Sequence, residues 1–354
     1  MDDRPRDEDD RHTPGERRVP ERGHDDYTEG TDMHLQGESA VTAGAHRPGT
    51  PYHLLARSAA HRWWRPLVGL LLFPVLAMAL MLLVYGATVV LAFAVGVGMD
   101  AELGFANPLW NFALGFVSIA VALPVLLLIA RTTQRRPVGT LSSVEGRLRW
   151  RWMGYCARWA FLGFVLVTAV DLVLNGWDAA LWPGWLTFLA VVAISVAVIP
   201  VQAATEEYVC RGWLVQTFAS WTRTPWPGAV ASSLLFVVLH DYTDPLVVVD
   251  LFVFAMAMCW LTIRTGGLEA AIALHVANNL TFALAAAPHG VPSLDQGGSY
   301  DVWEVLPSTL ITVVYTWWID RRARRLGITS TAPKPVTYEH PPGTPPGHSG
   351  TGAA

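Results

Sequence analysis

Eight apolar segments, separated by short polar stretches, organise the chain between Leu67 and Ile319. They fall near residues 66–97, 109–130, 156–174, 182–205 with an apolar extension to Trp221, 227–240, 246–263, 267–286 and 302–319. A helix of about 20 residues crosses the hydrocarbon core of a bilayer, so most of these segments suffice singly. The fifth is the short one. The pattern predicts an all-α integral membrane protein with eight transmembrane helices.

The loops give this array a direction. Basic residues precede the first segment (Arg57, Arg62, Arg65) and crowd the loop between the second and third (Arg131, Arg135, Arg136, Arg147, Arg149, Arg151). They recur as Arg223, as Arg264, and as Arg321, Arg322, Arg324 and Arg325 after the last segment. The alternate loops carry Asp100 and Glu102, then Asp178, then Asp241 and Asp244, then Asp295, Asp301 and Glu304. Alternation of this kind puts both termini in the cytosol by the positive-inside rule, in a multi-pass protein of the cell membrane. Tryptophans such as Trp110, Trp182 and Trp226 gather at segment ends, as an interfacial belt does.

Composition agrees and adds the tails. The 354 residues are 52% hydrophobic and 15% charged, against about 25% charged in an average soluble domain. Residues 1–50 hold 13 of the 29 acidic side chains, and the stretch 1–60 reads as a disordered acidic tail. The Pro/Gly-rich stretch 327–354 reads likewise, which leaves 61–326 as one membrane domain. A net charge of −4 without a basic patch excludes nucleic acid as a partner. Cys156, Cys210 and Cys259 are isolated and read as reduced structural thiols.

Against this apolar background three polar clusters stand out, because an ionisable group inside a span costs about 2.5–3.5 kcal/mol on insertion scales. The first is Glu206-Glu207 with Arg211, the second Phe236 with His240, the third His275 with Asn279. Glu207 and Arg211 are four residues apart and can pair along a helix, while Glu206 points about 100° away. Counting from the basic loops puts His275 about 12 Å and His240 about 20 Å deep, so the clusters are expected to converge in the cytosolic half, in a site opening toward the cytosol. A buried carboxylate with two imidazoles and a carboxamide suffices to activate water and stabilise an oxyanion. Glu206, His240 and His275 also offer ligands for a divalent metal, although no HExxH motif is present and no cofactor is expected. Cys210 reads as packing.

In order, these residues resemble the CPBP family of intramembrane proteases, which includes the type II CAAX prenyl endopeptidases. The family pattern is Glu-Glu-x-x-x-Arg, then Phe-x-x-x-His, then His-x-x-x-Asn or Asp, on successive spans of an eight-helix fold. Here the motif-bearing core covers 182–286, and the tails have no counterpart. The resemblance implies an endopeptidase in which Glu206 is the general base for the hydrolytic water and His240 positions that water. His275 and Asn279 would bind the substrate carbonyl and its oxyanion, with Glu207, Arg211 and Phe236 ordering the site. The implied substrate is a membrane-associated peptide or protein, lipidated ones included, and a metalloprotease reading stays open. The alternatives are a catalytically silent scaffold or immunity protein of the same fold, and a proton-coupled transporter using Glu206 and the histidines as a relay. No internal repeat supports the transporter.

Overall fold

The computed structural model describes residues 47–293 and 298–333. Asp295, most of the acidic tail and residues 334–354 lie outside the described residues. Among the described residues the regular structure is helical, with only isolated bridges such as Pro51 to Thr331. Eight rods occupy the eight predicted places: α1 Trp64–Ala94, α2 Pro108–Thr132, α3 Trp150–Asn175, α4 Trp185–Thr222, α5 Trp226–Leu239, α6 Pro245–Thr265, α7 Glu269–Ala286 and α8 Val302–Arg325.

Six of the eight, namely α1, α2, α3, α4, α6 and α7, are long and apolar enough to cross a membrane. The other two fall short for different reasons. Helix α5 is apolar but has 14 residues, and α8 has 24 residues but ends in Asp320 and four arginines. The chain is a multi-pass membrane protein with fewer self-sufficient spans than hydrophobic runs.

Local chemistry explains the ends of the rods. Asn107 caps α2, Asp244 caps α6 and Asp301 caps α8, each accepting from backbone N–H groups that lack a helical partner. Part of the acidity of the alternate loops, Asp244 and Asp301, is therefore capping. Gly266 ends α6 at φ +68°, and a Cβ there would come within 2.6 Å of Ser330 Cα, so only glycine fits. Where α5 crosses the end of α4, a Cβ on Gly228 would lie 2.9 Å from the Val215 backbone. Small residues allow backbones to approach in this way where lipid supplies no hydrophobic drive.

Helix α7 is the axis of the body. Every residue from Glu269 to His275 is buried, and the helix packs along both α3 and α4. Its alanines (Ala270, Ala271, Ala273, Ala277) make that closeness possible. Glu269 is fully buried at its first turn and pairs with Arg149, Oε2 to Nη2 at 2.7 Å, while Arg149 also donates to the Thr265 carbonyl. Burial alone would lower the Arg149 pKa, but the Glu269 carboxylate more than offsets it and holds it above the usual value. Glu269→Ala is expected to lose about 3–5 kcal/mol of stability in detergent unfolding, because it strands a buried guanidinium.

The tail boundaries at 60 and 327 lie too far into the ordered body. Tyr52 and Leu55 are buried with Val144, Leu268 and Ile272, and the Tyr52 hydroxyl donates to the Leu141 carbonyl. Residues 49–52 exchange backbone hydrogen bonds with Ser330 and Ala332. A single Tyr-His-Leu-Leu run within polar sequence is enough to anchor both ends as a plug over the start of α7. Tyr52→Ala is expected to cost about 3–5 kcal/mol by the precedent of large aromatic truncations, read as a lowered unfolding midpoint.

Candidate functional site

Helix α4 carries the first cluster, and its backbone changes there. It is α-helical through Glu207, π-helical over Tyr208–Leu214 and α-helical again over Val215–Thr222. The expected continuation through Arg211 is present, in the wider form that single π turns often take at functional sites. Pro200 lies within the same helix, six residues before Glu206, and supplies no N–H to the helical ladder.

The three clusters meet around one imidazole. His275 Nδ1 lies 2.7 Å from Glu207 Oε1, and His275 Nε2 lies 3.4 Å from Glu206 Oε2. Two adjacent carboxylates thus reach the same ring from its two nitrogens, which the 100° separation alone did not foretell. Glu207 Oε1 also accepts from Arg211 at 2.9 Å, and both of those side chains are fully buried. The Arg211 guanidinium lies 4.5 Å from the Phe236 ring centroid, so the ring face supplements its single ion pair.

Phe236 links the remaining pieces. Its ring stands 4.2 Å from the His240 ring and 5.7 Å from that of His275, and its carbonyl lies 2.7 Å from His240 Nδ1. That contact favours the tautomer with hydrogen on Nδ1 and leaves Nε2 of His240 as an acceptor. Asn279 Nδ2 donates to Gln202 Oε1 at 3.4 Å, and Gln202 Nε2 donates to Glu206 Oε1 at 2.7 Å. Every residue predicted for the site is therefore in one connected constellation.

Two participants, Gln202 and Phe254, escaped the sequence reading, and Asn278 of the third polar cluster was given no role in it. Gln202 orients Glu206, and its signal was available: a polar residue four positions before Glu206 in an otherwise apolar run. Asn278 donates to Asn279 Oδ1 at 3.0 Å. Phe254 meets His275 edge-on at 5.6 Å, and nothing in an apolar helix marks such a residue in advance. Cys210 is buried, as expected of packing.

A cavity of about 250 Å³ reaches this constellation, lined by Phe236, His240, His275 and Asn279 together with Asn278, Asp250 and Tyr242. The atom Glu206 Oε2 is buried with no hydrogen-bond donor of its own, an arrangement that calls for a water or a substrate proton. Glu206, His240 and His275 do not gather as a metal site: among the described residues no three His, Cys, Asp or Glu side chains are placed to hold an ion. The lining residues belong to the helix ends that carry the acidic loops, while a second cavity of about 600 Å³, lined among others by Ser142, Trp150, Ala204, Tyr208 and Val276, lies on the side of the basic loops.

Comparison with known proteins bears out the resemblance. Residues 181–281 match the family model described as type II CAAX prenyl endopeptidase, Rce1-like. That span contains both carboxylates, both histidines, Arg211, Phe236 and Asn279. The chain is also similar to the uncharacterized protein YyaK of Bacillus subtilis strain 168, at 24% identity over 230 residues, 60% of this chain and 76% of that protein. No solved structure matches it. The match thus falls on the motif-bearing core.

Proposed function

We propose that this protein is an intramembrane endopeptidase that hydrolyses a peptide bond of a membrane-associated substrate with a glutamate-activated water. In this reading all eight rods lie in the membrane, with α5 and α8 carried by their neighbours, and both termini are cytosolic. The observation that carries it is the convergence of Glu206 and Glu207 on His275 at a cavity also lined by His240 and Asn279.

The steps follow from those positions. Glu206 takes a proton from a water that His240 Nε2 helps to hold, and the resulting hydroxide attacks the carbonyl carbon. The oxyanion of the tetrahedral intermediate is received by Asn279 Nδ2, beside the His275 ring. When the C–N bond breaks, the proton held on Glu206 passes to the departing amine. Glu207 and Arg211 fix the His275 ring, and Gln202 fixes the carboxylate plane of Glu206.

The test is cleavage by purified full-length protein of a panel of prenylated and unmodified peptides, with and without a chelator. Cleavage that persists in chelator and is lost in Glu206→Gln supports the reading. No cleavage of any peptide, or turnover unchanged in Glu206→Gln, His240→Ala and His275→Ala alike, overturns it. Activity abolished by chelator and restored by a divalent cation would transfer the chemistry to a metal.

A further inference from the structure

One acidic side chain on the wall of the cavity at the site has no part in the chemistry described above. Val247, Asp250, Leu251 and Phe254 line that cavity from α6, at the spacing of a single helix face. Phe254 meets the His275 ring edge-on at 5.6 Å, and Asp250 stands four residues before it, about 6 Å along the helix axis. An extended peptide advances about 3.3–3.6 Å per residue. A substrate bond held at His275 therefore brings side chains within about three residues of it into reach of Asp250.

The partners of Asp250 do not account for a carboxylate there. Ser308 Oγ donates to Oδ2 at 3.3 Å and Thr309 Oγ1 donates to Oδ1, which ties α6 to α8. Both donors are neutral hydroxyls. Among the described residues no Arg, Lys or His pairs with Asp250. A neutral amide or hydroxyl would tie two helices at lower cost, whereas an ionisable group within a span marks a functional position by default.

The surroundings suit a cation. No Arg or Lys lines this cavity, and its wall includes the rings of Phe116, Tyr242 and Phe282. Aromatic faces attract ammonium and guanidinium groups, more strongly where water is excluded. Asp241 and Asp244 flank Tyr242 in the loop before α6 and add negative charge beside it. The second cavity, on the side of the basic loops, is lined by no carboxylate, so a preference for positive charge belongs to this one.

We infer that Asp250 is a specificity-determining residue, which takes a Lys or Arg side chain of the substrate within about three residues of the bond that is cut. The inference rests on the proposed protease reading for the word substrate, but a cation site at Asp250 does not depend on catalysis. Such a contact is made alike in the ground state and the transition state, so its loss should appear in KM rather than in kcat.

Two measurements test it. Purified full-length protein is given an unmodified peptide, the cut is located by mass spectrometry, and each nearby position is replaced in turn by Lys or by Gln. At one position the Lys peptide is expected to exceed its Gln counterpart at least about tenfold in kcat/KM, which is about 1.4 kcal/mol. Asp250→Asn, whose amide oxygen still accepts from Thr309, should bring that ratio close to one by raising KM for the Lys peptide, while Asp250→Glu should keep the preference. Asp250→Ser serves if the amide variant does not fold. No Lys preference at any position, or an equal loss for both peptides in Asp250→Asn, overturns the inference. Benzamidine and the neutral benzamide probe the site without turnover. Benzamidine is expected to raise the unfolding midpoint of the wild type in detergent and benzamide is not, with the rise lost in Asp250→Asn. A rise with neither compound, an equal rise with both, or a rise that survives in Asp250→Asn overturns the cation site. If no peptide is cleaved, the protease reading fails and the benzamidine comparison still decides whether Asp250 holds a cation.

Discussion

Glu206→Gln is expected to lower kcat by about 10²–10⁴-fold, the range that a positioned general base contributes. KM should stay nearly constant, because the lost interaction belongs to the transition state, so kcat and kcat/KM fall together. The amide is chosen because its oxygen still accepts from Gln202 Nε2, which now bonds Oε1 at 2.7 Å. Folding should therefore survive, and a thermal melt in detergent is the control. A variant that keeps more than a tenth of the wild-type kcat would remove Glu206 from the reaction. An Asn279→Ala variant, by contrast, leaves the base intact and takes away one oxyanion donor, so its loss should be the smaller of the two.

The second large effect is on stability. Glu207 joins two partners through one oxygen, Arg211 at 2.9 Å and His275 at 2.7 Å, and neither Glu207 nor Arg211 is exposed. Glu207→Ala leaves the guanidinium without its ion-pair partner, beside the Phe236 ring face and the Cys259 thiol, and removing one partner of such a buried pair typically costs about 3–5 kcal/mol. Denaturant or thermal unfolding in detergent reads it directly. Glu207→Gln should lose less, since an amide oxygen still meets the imidazole. The double variant Glu207→Ala with Arg211→Ala should be more stable than the sum of the single losses, by a coupling of about 0.5–3 kcal/mol. A Glu207→Ala protein within 1 kcal/mol of wild type would show, by the same reasoning, that the pair is not the buried anchor described.

The parts of this molecule that the sequence made legible are those governed by short-range rules. Apolar runs place helices because a bilayer demands both length and apolarity, and all eight rods lie within a few residues of their expected bounds, apart from the earlier start of α3 and the longer end of α8. Polar residues stranded in such runs are costly, so the carboxylates, the histidines and Asn279 announced themselves. What was not legible depends on long-range meetings. Arg149 and Glu269 are 120 residues apart, and neither looked unusual in its own segment. Tyr52 lies in a stretch whose composition suggests disorder, yet one ring and one leucine decide otherwise.

Helix α5 has a consequence for the lipid around it. Fourteen residues rise about 21 Å, against a hydrocarbon layer of about 30 Å, so the rod ends some 9 Å short. His240, Asp241 and Tyr242 follow at once, and backbone that has left its helix cannot rest against acyl chains without satisfying its polar groups. In the eight-span arrangement proposed above, the bilayer beside α5 must thin, or water must follow the loop inward. Either response brings a wet dimple to the edge of the cavity, and a hydrolase buried in oil needs a standing supply of its second reactant. The shortness of one helix thereby ties the rate of the chemistry to the thickness of the surrounding membrane.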